Sequence, residues 1–253
     1  MNLYYKKIGD GNKNLIILHG LLGSSDNWQT IAKNIKPQYS IYLIDQRNHG
    51  RSPHTENMNY QLMADDVFDF LAQQNINKTS ILGHSMGGKV AMQFALTYPD
   101  FVEQLIVVDI APKKYRGGHE YILNAMQNAP LHTSTDRNAI EYFLEDKIIN
   151  TAERQFILKN LTRDEHKNFI WKCNLEGIVK NYNELMDFSE TTNQFLGNTF
   201  FIRGEKSKYI KDTDYKKIET LFPKTTFITI INATHWVHAD NPTQFLEEIN
   251  KIL

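Results

Sequence analysis

Four short apolar runs punctuate the first half of the chain: Leu15-Ile16-Ile17-Leu18, Ile41-Tyr42-Leu43-Ile44, Thr79-Ser80-Ile81-Leu82 and Leu105-Ile106-Val107-Val108. Each has the length and composition of a strand buried on both faces of a parallel sheet. Between them the apolar positions recur at helical spacing, from Asn27 to Lys36, Tyr60 to Gln74 and Lys89 to Tyr98, the last closed by Pro99-Asp100. Strand alternating with helix predicts an α/β fold, a mostly parallel sheet with helices on both faces. The pattern then changes. From about Pro112 to Asn193 the residues read as helices, among them Glu120 to Gln127, Arg137 to Ile149 and Thr151 to Lys159, with no strand. Strand character returns at Asn198 to Ile202 and at Thr226 to Ile231, and a helix from Pro242 to Leu253 ends the chain. Residues 1–111 and 197–253 are therefore expected to form one sheet-bearing core. Residues 112–196, inserted after the strand that ends at Asp109, are expected to form a helical cap over the strand C-termini, where open α/β sheets bind ligands.

The chain has 253 residues, enough for one well-buried core. With 28 basic against 29 acidic residues its formal net charge is −1, which gives no electrostatic reason to expect nucleic acid. Its N-terminus has no apolar run behind the basic residues, so no signal peptide is read there. The apolar stretches are strand-sized, short of the about 20 residues that span a bilayer, and stable membrane insertion is not expected. The single cysteine, Cys173, forbids an internal disulfide and fits a cytoplasmic setting; it is expected to be a plain helix residue.

Chemistry enters at Gly83-His84-Ser85-Met86-Gly87-Gly88, which follows a strand and opens a helix. This is the G-x-S-x-G elbow in its required context. A sharp strand-to-helix turn lifts the Ser85 hydroxyl clear of the sheet, and glycines stand where side chains would strike backbone. The free N–H groups of the following helix face the reacting centre. A tetrahedral oxyanion formed on Ser85 needs two N–H donors. Met86, next after the nucleophile, supplies one; Leu21, in the glycine-rich loop His19-Gly20-Leu21-Leu22-Gly23, supplies the other. His19 is expected to be structural. The general base is read as His235, in the Thr234-His235-Trp236-Val237-His238 segment after the last strand; His238 falls in the next turn or helix. The acid is read as Asp109. The alternative place, after the strand that follows the insert, runs Arg203-Gly204-Glu205-Lys206-Ser207, and Ser207 cannot carry the charge. Glu205 and Asp212 are the reserve acids, and Ser207→Ala is expected to be nearly silent. The loop from Asp45 to Ser52, with Arg47 and His49, is read as structural. Trp28 and Trp236 are candidate linings of the substrate pocket, and Tyr121, Phe143 and Trp171 of the cap suggest an apolar cavity. No cofactor or metal is called for, and the expected partner is a small acyl ester or thioester.

These strings resemble the YbfF-type bacterial esterases. The resemblance is carried by His19 to Gly23, Asp45 to Pro53, Gly83 to Lys89, Asp109-Ile110-Ala111-Pro112, Gly204 to Ile210 and His235 to Ala239, and it weakens in the cap. It implies an α/β-hydrolase fold with a small helical cap and hydrolysis of short- to medium-chain carboxylic esters, with acyl-CoA thioesters in range. It also implies an acid on the strand before the cap. Two rival readings share the same residues: a ligand receptor with vestigial turnover, and a C–C bond hydrolase or perhydrolase.

Overall fold

The computed structural model describes residues 1–134 and 136–253. In chain order its elements are β1 (Tyr5–Ile8), β2 (Lys13–Leu18), α1 (Gln29–Ala32), β3 (Tyr39–Ile44), α2 (Tyr60–Gln73), β4 (Thr79–His84), α3 (Met86–Thr97) and β5 (Val102–Val108). Next come α4 (Glu120–Gln127), α5 (Arg137–Glu145), α6 (Thr151–Leu158), β6 (Leu161–Arg163), β7 (Phe169–Trp171), α7 (Leu175–Lys180) and α8 (Tyr182–Met186). The chain closes with β8 (Asn198–Gly204), α9 (Tyr215–Leu221), β9 (Thr225–Ile230), α10 (Val237–Asp240) and α11 (Pro242–Ile252).

Seven strands form one sheet in the order β1-β3-β2-β4-β5-β8-β9, parallel except for β1, which runs antiparallel to β3. The alternation of side chains along a strand explains the two apolar layers. On β2, Leu15 and Ile17 pack with Ile31, Phe245 and Ile249 on one face. Ile16 and Leu18 point the other way and pack with Met63, Val67, Phe70, Val90 and Phe94 of α2 and α3. Asn59 caps α2 by accepting the Leu62 N–H, and Asn241 caps α11 by accepting the Gln244 N–H ahead of Pro242.

Four details depart from the sequence reading. The edge strand β1 was not visible in the mixed pattern of Tyr5-Lys6-Lys7-Ile8. The insert between β5 and β8 is not purely helical: β6 and β7 pair as a short antiparallel hairpin. Its turn is held by Asp164, whose carboxylate accepts the N–H groups of His166 and Asn168, with Lys167 at φ 66°. Cys173 lies in the bend after β7 rather than in a helix. It is buried, and burial pushes its thiol up to about 12. The segment expected as a helix from Asn27 to Lys36 is a single 3₁₀ turn, Ser25–Trp28, running into the four-residue α1. Asp45 takes the Ser25 N–H at 2.6 Å and Asn27 takes the Ser24 N–H at 2.7 Å, which tightens that start.

Among the described residues no helix is long and apolar enough to cross a membrane.

Candidate active site

Ser85 sits between β4 and α3 at φ 53° and ψ −118°, a backbone conformation costing about 1–3 kcal/mol that only the surrounding packing sustains. The flanking glycines make it possible. A Cβ on Gly83 would lie 2.1 Å from the Gly87 carbonyl oxygen, and one on Gly87 would lie 2.3 Å from that of Leu18. The Ser85 N–H is tied to the Val108 carbonyl at 3.0 Å, and its hydroxyl faces His235 Nε2 at 2.9 Å.

His235 bridges Ser85 to Asp109. Its Nδ1 lies 2.7 Å from Asp109 Oδ2, and since a carboxylate only accepts, the proton is assigned to Nδ1 and Nε2 is left as the acceptor for the Ser85 hydroxyl. Asp109 is wholly buried directly after β5, at φ 53°. Its Oδ1 accepts the Gly204 N–H at 3.2 Å, and its Oδ2 accepts the Ser207 hydroxyl as well as His235. The reserve acids are engaged elsewhere: Glu205 accepts the Asn232 N–H and Asp212 pairs with Arg203. Ser207, expected to be a bystander, instead touches the carboxylate. Its hydroxyl contributes one of three donors that converge on a buried anion, which argues against a silent Ser207→Ala.

The imidazole is held on two further sides. The Tyr209 ring stacks on it at 3.7 Å between centroids and 15° between planes. The buried His84 ring donates from Nε2 to the His235 carbonyl at 2.8 Å. Neither contact had a signal in spacing or composition, because each joins segments distant in the chain.

Leu21 and Met86 have backbone N–H groups that find no acceptor among the described residues. The loop that carries Leu21 is fixed through Leu22, which is at φ 58°. The Leu22 N–H donates to His49 Nε2 at 3.1 Å, and the Leu22 carbonyl accepts from Asn160 of the insert at 2.7 Å. His19 accepts the Gln46 N–H on Nε2, 3.1 Å away, consistent with a structural part. Burial pushes His19 down to about 4 and His49 to about 3, so both are neutral near pH 7 and their ring nitrogens can accept. The loop around Arg47 is pinned by a two-point pairing of the guanidinium with Asp66, at 2.6 and 2.8 Å.

A cavity of about 180 Å³ opens on Ser85 and His235. Trp28 and Trp236 both border it, as do Tyr121, Ile122 and Phe156 of the insert. Phe143 and Trp171 do not: Phe143 packs against the apolar layer, and the Trp171 indole donates to the Met126 carbonyl at 3.0 Å. Trp28 stacks on the buried ring of His238, in α10, at 4.1 Å. A second chamber of about 30 Å³ meets the first at Ser85 and is bordered by Met86, Ile110 and Lys89. Lys89 is buried and donates to the carbonyls of Met186 and Asp187 at 3.0 and 2.8 Å, tying α3 to the end of the insert. Burial pulls its ammonium down to about 7. Among the described residues no group of three His, Cys, Asp or Glu side chains is placed to hold a metal ion.

The fold and the strained serine at the strand-to-helix elbow define the class, and the comparisons agree with it. Residues 13–146 match the family model of the alpha/beta hydrolase fold, and the chain belongs to the α/β-hydrolase family. Within that family it is of the esterase/lipase type. It is 38% identical over 244 residues to the sn-1-specific diacylglycerol lipase ABHD11 of Danio rerio, covering 93% of this chain and 76% of the relative. It is 32% identical over 248 residues to Esterase YbfF of Escherichia coli, covering 96% of this chain and 93% of the relative. The solved structure of a marine microorganism esterase superposes with a TM-score of 0.97 at 41% identity, covering 99% of each chain.

Proposed function

We propose that the protein hydrolyses carboxylic esters through an acyl-enzyme on Ser85, with His235 as general base and Asp109 as its orienting acid. One observation carries the reading: an unbroken hydrogen-bonded relay from Ser85 Oγ to His235 Nε2 at 2.9 Å and from His235 Nδ1 to Asp109 Oδ2 at 2.7 Å. His235 takes the Ser85 proton as the oxygen attacks the acyl carbon. The buried Asp109 carboxylate stabilises the imidazolium that results. The unpartnered N–H groups of Leu21 and Met86 receive the oxyanion; one such donor is worth about 3–4 kcal/mol in the transition state. His235 then protonates the departing oxygen, and water activated by the same ring releases the acid. The relay serves a thiolate leaving group equally well, so acyl-CoA thioesters belong to the same reading. Residues 112–196 act as the cap of this site, a reading supported by Ile122 and Phe156 lining the cavity that opens on Ser85.

The test is intact mass after a fluorophosphonate probe, on the parent and on Ser85→Ala. One adduct on the parent and none on the variant is expected, together with loss of ester turnover by several powers of ten. A folded parent that takes no adduct refutes the reading. Parallel turnover of p-nitrophenyl esters and acyl-CoA thioesters decides the leaving-group class.

A further inference from the structure

The two chambers that meet at Ser85 differ in size and in what borders them. The larger, about 180 Å³, includes His235 and Trp236 in its wall; Met86 and Ile110 are not part of it. The smaller, about 30 Å³, includes Met86, Ile110, Tyr60 and Met186; His235 is not part of it. Ser85, Leu21, His119 and Tyr209 belong to both.

This division, together with the acyl-enzyme chemistry proposed above on which the inference rests, orients the substrate. A tetrahedral carbon on Ser85 Oγ has three other substituents. Its oxyanion must point at the Leu21 and Met86 N–H groups. Its leaving oxygen must lie within reach of His235 Nε2, which donates the proton as the carbon–oxygen bond breaks. His235 borders only the larger chamber, so the leaving alcohol departs there. The acyl chain takes the remaining direction, into the smaller chamber.

We propose that the natural substrates are esters that join a small acid, acetyl to about butyryl, to a larger apolar alcohol. The capacity follows from the volume. A water-sized group needs about 10–15 Å³ of such space, so 30 Å³ takes about two or three groups the size of a methylene. The wall around it does not give way easily: Tyr60, Met86, Lys89 and Ile110 are buried, and the Tyr60 hydroxyl is bonded to the Leu185 carbonyl at 2.5 Å. On the alcohol side, Trp28, Leu22, Ile122, Phe156, Ile157 and Trp236 present apolar surface, with Asn27, His119 and Glu153 as polar points in the same wall.

Two isomeric esters test this directly. Octyl acetate and methyl nonanoate have the same formula and the same reacting bond, and differ only in which side carries the long chain. The parent protein is expected to cleave octyl acetate at least about a hundredfold faster in kcat/KM, since one methylene too many in a closed pocket costs about tenfold or more. Met186→Ala enlarges the small chamber and should raise turnover of methyl hexanoate relative to methyl acetate. Ile122→Trp narrows the large one and should depress octyl acetate while sparing methyl acetate; should the first variant fold poorly, the second still decides. Equal rates, a preference for methyl nonanoate, or cleavage of neither ester by protein that takes a fluorophosphonate adduct overturns the chamber assignment alone. No adduct and no cleavage overturns the acyl-enzyme reading beneath it.

Discussion

Replacing Ser207 with alanine removes one donor from a carboxylate that has no access to water. Asp109 is 0% exposed, and its oxygens accept three donors: Gly204 N–H, the Ser207 hydroxyl and His235 Nδ1. A hydrogen bond to a charged group contributes about 1.5–3 kcal/mol to folding, and alanine leaves no replacement in place. The bond exists before and after proton transfer, so its effect on rate is indirect: it sets the plane of the carboxylate and with it the aim of the imidazole. A loss of about 1.4 kcal/mol of transition-state stabilisation, tenfold in kcat, is the expected share. KM should stay within about twofold, because Ser207 borders neither chamber. Ser207→Thr keeps a hydroxyl on Cβ and should recover most of both losses. Urea melts and steady-state kinetics on the same preparations separate the two effects. A Ser207→Ala enzyme that is destabilised by the expected amount yet keeps its full kcat would refute the positioning argument and leave the hydroxyl a purely structural bond.

Asp109→Asn should keep the fold but lower kcat by about 10⁴-fold, since a neutral amide neither stabilises the imidazolium nor enforces the Nδ1–H tautomer; circular dichroism and kinetics check it. Asn160→Ala frees the Leu22 carbonyl and should lower kcat several-fold through the Leu21 donor while leaving the fluorophosphonate adduct on Ser85 intact; undiminished kcat would uncouple the insert from that loop. Acid should unfold the protein steeply: His19, His49 and His238 have folded values near about 4, 3 and 4, below the ordinary 6.5, so the unfolded chain binds more protons and stability present above pH 6.5 is lost as pH falls toward 4. Three such groups give a slope of about 4 kcal/mol per pH unit near pH 5, and urea midpoints unchanged from pH 7 to 5 would contradict it. Lys89 is likewise depressed, to about 7 from 10.5, so its contribution to stability should grow as pH rises from 7 toward 9.5; Lys89→Met should remove that growth from the difference between the two proteins' melting curves.

What was legible in the chain was what local pattern encodes. Parallel strands buried on both faces read as unbroken apolar runs, so β2, β3, β4 and β5 stood out, whereas β1, with Lys6 and Lys7 on an edge, did not. The elbow was legible because a strained turn demands glycine at positions 83 and 87. Asp109 was favoured by elimination, from a serine standing where a carboxylate was otherwise expected. The contacts that complete the site were not legible, because they join segments far apart: Tyr209 on His235, His49 on Leu22, and Asn160 reaching Leu22 from 138 positions away. A three-residue strand such as β7 has no period to detect, and its pairing depends on the Asp164 turn rather than on its own residues.

The topology gives a physical reason why a carboxylate after β5 or one after β8 could reach the same imidazole. β5 and β8 are parallel neighbours, with Val108 paired to Ile202, so their C-terminal ends emerge side by side beneath the same imidazole. The chain after β5 is anchored to β8 by the Asp109 N–H on the Ile202 carbonyl at 2.8 Å, and β8 returns the Gly204 N–H to the carboxylate. Once the charge is placed on β5, the loop after β8 reaches its oxygens from the other side. A second carboxylate there would stand at contact distance from the first, and two buried anions so close cannot both stay ionised. A hydroxyl at the same place does the opposite, because it donates to the anion and fixes its plane. Asp109 and Ser207 are therefore complementary parts of one arrangement, and the serine that seemed to mark an absent acid is the group that fits the acid supplied by the neighbouring strand.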